Sequence, residues 1–170
     1  MEKWDLFDET RQPLNKIHNR QDKMIIGEYH IVVGIWTINN HNEVLLTLRH
    51  PDKKEYPNFW ENTCGSTLVG ETSKAGAIRE LFEETGIMAN EDELLFLGTK
   101  KEETAFVDTY IIRKDIKISE LTMQEGETVK AQWVTLDKLD EMIKLGIIAL
   151  PVAERLAPLR KIFEDFLFAK

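Results

Sequence analysis

Glu80, Glu83 and Glu84 stand at i, i+3 and i+4, so on a helix their carboxylates leave one face together. Like charges at that spacing repel, by roughly 0.2–0.5 kcal/mol per pair. A hard divalent cation converts the repulsion into coordination. Mg2+ and Mn2+ take oxygen ligands of this kind, shared with water and substrate phosphates. The chemistry such a cluster serves is metal-assisted attack of water on a phosphorylated substrate. A merely solvated acidic helix face would not account for Gly65, Glu71 and Gly86 around it.

These neighbours each have a physical task. Gly65 allows close backbone approach or a positive φ before the helix. Thr72 or Ser73 can cap the helix start. Ala75, Ile78 and either Leu81 or Phe82 form the apolar stripe that docks the helix. Gly86 ends it in a left-handed cap. Arg79 can pair with Glu83 or with Glu71, keeping a carboxylate ionised and oriented. Gly76 costs a helix interior about 1 kcal/mol relative to alanine, which close packing against a sheet would explain.

The segment from Gly65 to Ile87 also resembles the Nudix box. That box is a glycine, five free positions, a glutamate, seven free positions, then Arg-Glu-apolar-any-Glu-Glu-any-Gly-apolar. Gly65, Glu71, Arg79, Glu80, Leu81, Glu83, Glu84, Gly86 and Ile87 fill every specified position. The resemblance implies an α/β/α sandwich with a mixed β-sheet, and a pyrophosphohydrolase cleaving a nucleoside or other diphosphate linked to another moiety. Its metal, Mg2+ or Mn2+, would be held by Glu83 and Glu84 with Glu80 and the Gly65 carbonyl. Glu80, Glu83, Arg79 and Glu127 are the expected catalytic set. The general base is Glu80, or Glu125 or Glu127 from the loop before Trp133. Arg49, Lys53, Trp60 and Glu71 are the expected substrate contacts, with Lys54 and Lys101 as further cations.

A narrower resemblance, to type I isopentenyl-diphosphate isomerases of the same fold, lies in Glu28-Tyr29-His30, in Asn58 through Gly65, and in Gly70-Glu71. It puts Cys64 where those enzymes carry a catalytic cysteine, and matches His18 and His30 to two metal-site histidines. Ser66 stands where a third histidine is required, no Glu-x-Glu pair occurs near Thr104 to Phe106, and the box is intact where theirs is degenerate. These departures favour hydrolysis over isomerisation. A non-catalytic nucleotide- or metabolite-binding module is the remaining alternative. Cys64, alone at a strand end, reads as a small buried hydrophobe.

Composition bounds the rest. The 170 residues are expected to form one domain, 1–170, and 42% hydrophobic residues suffice for a core. A net charge of −8 argues against a nucleic-acid polymer as partner and leaves a small phosphorylated substrate. One cysteine suits a reducing cytoplasm. No signal-peptide pattern or membrane-length apolar run is visible, so no membrane association is expected.

The expected strands are Trp4–Phe7, His30–Ile38, Val44–Leu48, Trp60–Cys64, Leu94–Gly98, Thr104–Arg113 and Thr128–Val134, with Asn15–Lys23 irregular. Helices follow at Leu136–Leu145 and from Pro151 onward, the latter kinked at Pro158 and burying Val152, Leu156, Leu159, Phe163 and Phe166. Leu167 and Phe168 should then face away from the core. An exposed aromatic tail predicts a homodimer through this helix or the strand around Trp4.

Overall fold

The computed structural model describes residues 2–169. In chain order the elements are β1 (Lys3–Phe7), β2 (Pro13–Asn19), β3 (His30–Ile38), β4 (Val44–Arg49), β5 (Trp60–Glu61) and β6 (Thr63–Ser66). They continue with α1 (Ser73–Thr85), β7 (Leu95–Lys101), β8 (Ala105–Arg113), β9 (Thr128–Val134), α2 (Leu136–Lys144), α3 (Leu150–Leu156) and α4 (Arg160–Leu167). The main sheet runs β5-β4-β3-β8-β7, with β6 also on β3 and β9 also on β4. It is mixed: β3 pairs parallel with β8 from His30↔Ala105 to Ile38↔Arg113, and antiparallel with β6.

β3 is buried on both faces, which explains its continuous apolar run. Ile31, Val33 and Ile35 join the core under α1, together with Ala77 and Leu81. Trp36 and Ile38 point the other way, into the core under α2, α3 and α4. Alternate residues of one strand thus bind both helical layers, and the result is the expected α/β/α sandwich with a mixed sheet.

The expected strand Trp60–Cys64 is two strands, β5 paired with β4 and β6 paired with β3, and two further expectations fail, each for a local reason. The polar run from Asn15 is not irregular at its start, because Pro13–Asn19 is β2, paired antiparallel with β1. Neither face of β2 is fully buried, so no period-2 signal exists to read. At the C-terminus, Pro158 does not merely kink a helix. A 3-10 turn, Ala157–Leu159, separates α3 from α4, since proline lacks the N–H and crowds the preceding turn. The tighter turn rotates the following face. Leu167 is therefore fully buried beside Phe163, and Phe168 alone of that pair is exposed, at 58%. Lys170, the last residue of the tail, lies outside the described residues.

The β1–β2 hairpin is fastened to the sandwich. Arg11 forms an ion pair with the buried Asp108, which also accepts from Ser73 Oγ at 2.5 Å and Thr99 Oγ1 at 2.6 Å. Val69 N–H donates to the Lys3 carbonyl and Gly70 N–H to Asp5. Trp4, expected as a possible dimer contact, is instead buried against His30, with rings 4.0 Å apart and 11° from parallel. Among the described residues no helix is long and apolar enough to cross a membrane.

Burial depresses the His30 pKa to about 4, with the neighbouring His18 and Arg155 charges adding to the effect. The unfolded chain takes up this proton near pH 6.5, whereas the folded chain resists it until about pH 4. Between those values the unfolded state binds more protons, so this group's contribution to stability falls as pH falls, by on the order of 3 kcal/mol across the window. His30→Phe keeps an aromatic ring on Trp4 and removes the titration. Denaturant unfolding should find the variant close to the native chain at pH 7.5 and more stable than it at pH 4.5.

Candidate active site

The helix that carries the acids is set by its own termini. Thr72 accepts from Ala75 N–H at 3.1 Å, and Gly86, at φ 74°, closes the helix by donating to Phe82. Its buried face is Gly76, Ala77, Leu81, Glu84 and Thr85. Leu81 is thus the docking residue and Phe82 is exposed, while Ala75 and Ile78 are only partly buried. The face is turned from the expected stripe because Gly76 lies against Thr67. A Cβ on Gly76 would meet Thr67 Cγ2 at 2.8 Å and Thr67 Cα at 3.4 Å. That rotation carries Glu84 inward.

Arg79 organises the carboxylates. Its Nε and Nη2 donate to the two Glu71 oxygens at 2.8 and 3.0 Å. Nη1 donates to Glu80 at 2.9 Å and Glu83 at 3.0 Å, and Nη2 also reaches the Ser66 carbonyl at 2.9 Å. The sequence allowed Arg79 to pair with Glu71 or Glu83; the structure has both. Burial works against ionised Glu71, yet the Arg79 fork and the Leu68 N–H hold its pKa below the usual range. Glu71 is fully engaged in this way and, unlike the expectation of a substrate contact, does not line the cleft.

That cleft, about 240 Å³, lies beside Glu80, Glu83 and Glu84. Cys64, Gly65 and Ser66 of β6 also line it, as do Arg49, Lys53, Gln124 and Glu127. Gly65 makes room for the Glu80 carboxylate, which occupies the place a Cβ would take. Glu84 is buried and its Oε2 has no hydrogen-bond partner among the described residues. Desolvation first, then repulsion from Glu61 and Glu80, raises the Glu84 pKa well above the carboxylate range. Desolvation likewise raises Glu80 and Glu61. Among the described residues no three His, Cys, Asp or Glu side chains form a ready-made metal cage.

Arg49 and Lys53 reach the cleft, each with an acidic partner. Arg49 Nη1 donates to both Glu61 oxygens at 2.8 Å, and Lys53 pairs with Glu127. Trp60 does not line the cleft; it packs on the core under α2 to α4, and its backbone pairs with Ile147 and Ala149. The pleat of β5 sends Glu61 to the other face. Glu125, Lys101, His18 and His30 also lie outside the lining. Cys64 does line it, but burial raises its thiol to about 12 against the opposing charge of Arg155, whose Nη1 is 3.3 Å from the sulfur. It is a neutral thiol at ordinary pH.

Sequence reasoning missed Glu61, Gln124, and the hairpin residues Glu2, Trp4 and Arg20. An acid inside a strand beside Trp60 was a usable sign, because acids are depleted there unless paired. The hairpin residues carry no local signal.

Gly65 and Gly76 should respond oppositely to alanine. At Gly65 the clash is with the far end of the Glu80 side chain, so Gly65→Ala should keep its Tm within about 3 °C, about 1 kcal/mol for this chain length, and lose at least ~10-fold in turnover through misplacement of Glu80. At Gly76 the clash involves a packed methyl and backbone. Gly76→Ala should lower stability by about 1–3 kcal/mol, although alanine favours helix. Calorimetry and initial rates on both variants check this.

The NUDIX domain family model matches residues 28–156. An uncharacterized Nudix hydrolase of Listeria monocytogenes is 37% identical over 152 residues, covering 86% of this chain and 87% of the relative. An isopentenyl-diphosphate Delta-isomerase of Paenarthrobacter aurescens is 32% identical over 91 residues, covering 53% of this chain and 50% of that protein. A crystal structure from Deinococcus radiodurans superposes with a TM-score of 0.76 at 21% identity, covering 94% of this chain and 98% of its own.

Proposed function

The chain belongs to the Nudix family of hydrolases, and from that premise we propose that it is a Mg2+- or Mn2+-dependent pyrophosphohydrolase cleaving a diphosphate that joins a nucleoside, or another group, to a second moiety. The observation that carries the proposal is the convergence of Glu80, Glu83 and Glu84 on one cleft, with a buried Glu84 oxygen that has no hydrogen-bond partner among the described residues. A buried carboxylate without a partner is costly unless a cation compensates it. Arg79 does not do so, since its donors go to Glu71, Glu80, Glu83 and Ser66.

Glu83 and Glu84, with Glu80 and the Gly65 carbonyl, would hold the ion. The lack of a preassembled cage among the described residues fits Mg2+, which keeps several waters and takes few protein carboxylates. Bound there, a divalent ion supplies positive charge to phosphate oxygens and acidifies water. Arg49 and Lys53 line the same cleft and would orient the phosphates. Two carboxylates can take the water proton. Glu80 is pinned between Gly65 and Arg79, whereas the Glu127 side chain is 41% exposed and paired with Lys53. Comparing Glu80→Gln with Glu127→Gln decides between them: loss of the base flattens the acidic limb of the kcat–pH profile.

Glu84→Gln should reduce kcat by at least ~100-fold, the scale of removing a key electrostatic group. Without metal it should leave stability unchanged or raise it, because it removes a buried, repelled charge. It should also abolish the Tm rise that Mg2+ gives the native chain. Full activity in excess chelator, read as phosphate release from a panel of nucleoside diphosphate derivatives, would sink the reading.

Cys64→Ser should retain most hydrolytic activity, since a thiol raised to about 12 is no nucleophile at neutral pH. Isomerisation of isopentenyl diphosphate by the native chain, lost in that variant, would reverse the choice in favour of the isomerase-like alternative.

A further inference from the structure

The β1–β2 hairpin precedes residue 28, where the family match begins. Even so, Glu2, Trp4 and Arg20 of the hairpin and its end form one wall of the cleft that holds the acids. A second cleft, about 600 Å³, opens alongside, between the hairpin and the loop after β4. The two share Trp4, Arg20, Arg49 and Lys53, and the second adds Lys54, Asp52 and Glu55. Its lining thus gathers Arg20, Arg49, Lys53 and Lys54 with Asp52 and Glu55, and three of the four cations are paired with acids outside that lining, Glu2, Glu61 and Glu127.

These cations differ in what holds them. Arg49 is tied to Glu61 with both side chains largely buried, at 18% and 10% exposure. Withdrawing it would strand a buried carboxylate. Lys53 is tied to Glu127. Among the described residues the Arg20 side chain is held by Glu2, with side chains 57% and 46% exposed, and an exposed pair of this kind contributes little. Lys54 is exposed. Arg20 and Lys54 are therefore the most exposed cations of the set and turn to a ligand at the smallest cost in existing contacts. Arg20 is also presented from a fixed wall. Its N–H donates to the Glu2 carbonyl at 3.1 Å, and the hairpin beneath it is locked by the Trp4–His30 stack and the Arg11–Asp108 pair.

We propose that this second cleft is an anion subsite, and that Arg20 and Lys54 select diphosphate substrates whose distal arm, the one pointing away from the acid cluster, carries its own negative charge. The proposal rests on the hydrolase reading for the orientation of the substrate. Carboxylate and phosphate share the recognising chemistry, a charge-assisted hydrogen bond to guanidinium or ammonium.

Two matched pairs of probes separate charge from shape. UDP-glucuronate differs from UDP-glucose by a carboxylate, and coenzyme A differs from 3′-dephospho-coenzyme A by a phosphate. Calorimetric titration with Mg2+ present reads affinity, and phosphate or nucleotide release reads cleavage. For at least one pair the member with the added anionic group should bind ~10-fold or more tightly than the partner that lacks it. The gap should shrink as salt is raised. In the double variant Arg20→Gln/Lys54→Gln it should fall to ~2-fold or less, with the Tm held. Preference in the carboxylate pair alone, or the phosphate pair alone, identifies which anion the subsite takes. Equal affinities within both pairs, no binding by any probe, or a gap that survives in the double variant would overturn the proposal. Selective binding without cleavage of any probe would instead count against the hydrolase reading and leave the anion subsite standing.

Discussion

One guanidinium, that of Arg79, sets the geometry on which the rest of the site depends. It binds Glu71, Glu80, Glu83 and the Ser66 carbonyl at once. Acids on one helix face repel, and an exposed acid cluster would splay into solvent. A planar cation with fixed, forked donors holds several carboxylates at defined angles, which a lysine could not do. Glu71 completes the arrangement by fixing the guanidinium from the far side while its own oxygen accepts from Leu68 N–H. Helix, preceding loop and β6 are thereby joined through a single side chain.

That fixed frame also explains why glycine stands where it does. Gly76 lets α1 approach Thr67, and Gly65 leaves the space into which the Glu80 carboxylate settles. The local penalty of a glycine inside a helix, about 1 kcal/mol, is offset by contacts elsewhere. Close approach in turn buries Glu84, whose pKa rises because water is removed and other acids lie near. The burial of this acid and the lack of a hydrogen-bond partner for its Oε2 among the described residues follow from one packing choice.

The rest of the cleft lining is assembled from segments far apart in the chain. Arg49 and Lys53 come from β4 and its following loop, Gln124 and Glu127 from the loop before β9, and Glu2, Trp4 and Arg20 from the hairpin. Their charges are matched pairwise, Arg49 with Glu61 and Lys53 with Glu127. Cations that would otherwise repel one another are thus held beside a cleft, with Arg20 the most weakly restrained of those that have a partner.

The spacing of Glu80, Glu83 and Glu84, the caps at Thr72 and Gly86, and the strands from His30 to Ile38 and from Thr128 to Val134 were all legible in the amino-acid sequence. Each is a local property: helical period, capping preference or β-branched run decides it within a few residues. The tertiary structure alone decided the others. It made Pro13–Asn19 a strand, since a strand with neither face fully buried has no hydrophobic period to reveal it. It buried Leu167, because a 3-10 turn at Pro158 shifted the phase of the last helix. It turned Trp60 away from the cleft and Glu61 toward Arg49, because only strand pairing fixes which face each residue takes. And it brought Trp4 and Arg20 beside Glu80, across a separation in sequence that no periodicity can bridge.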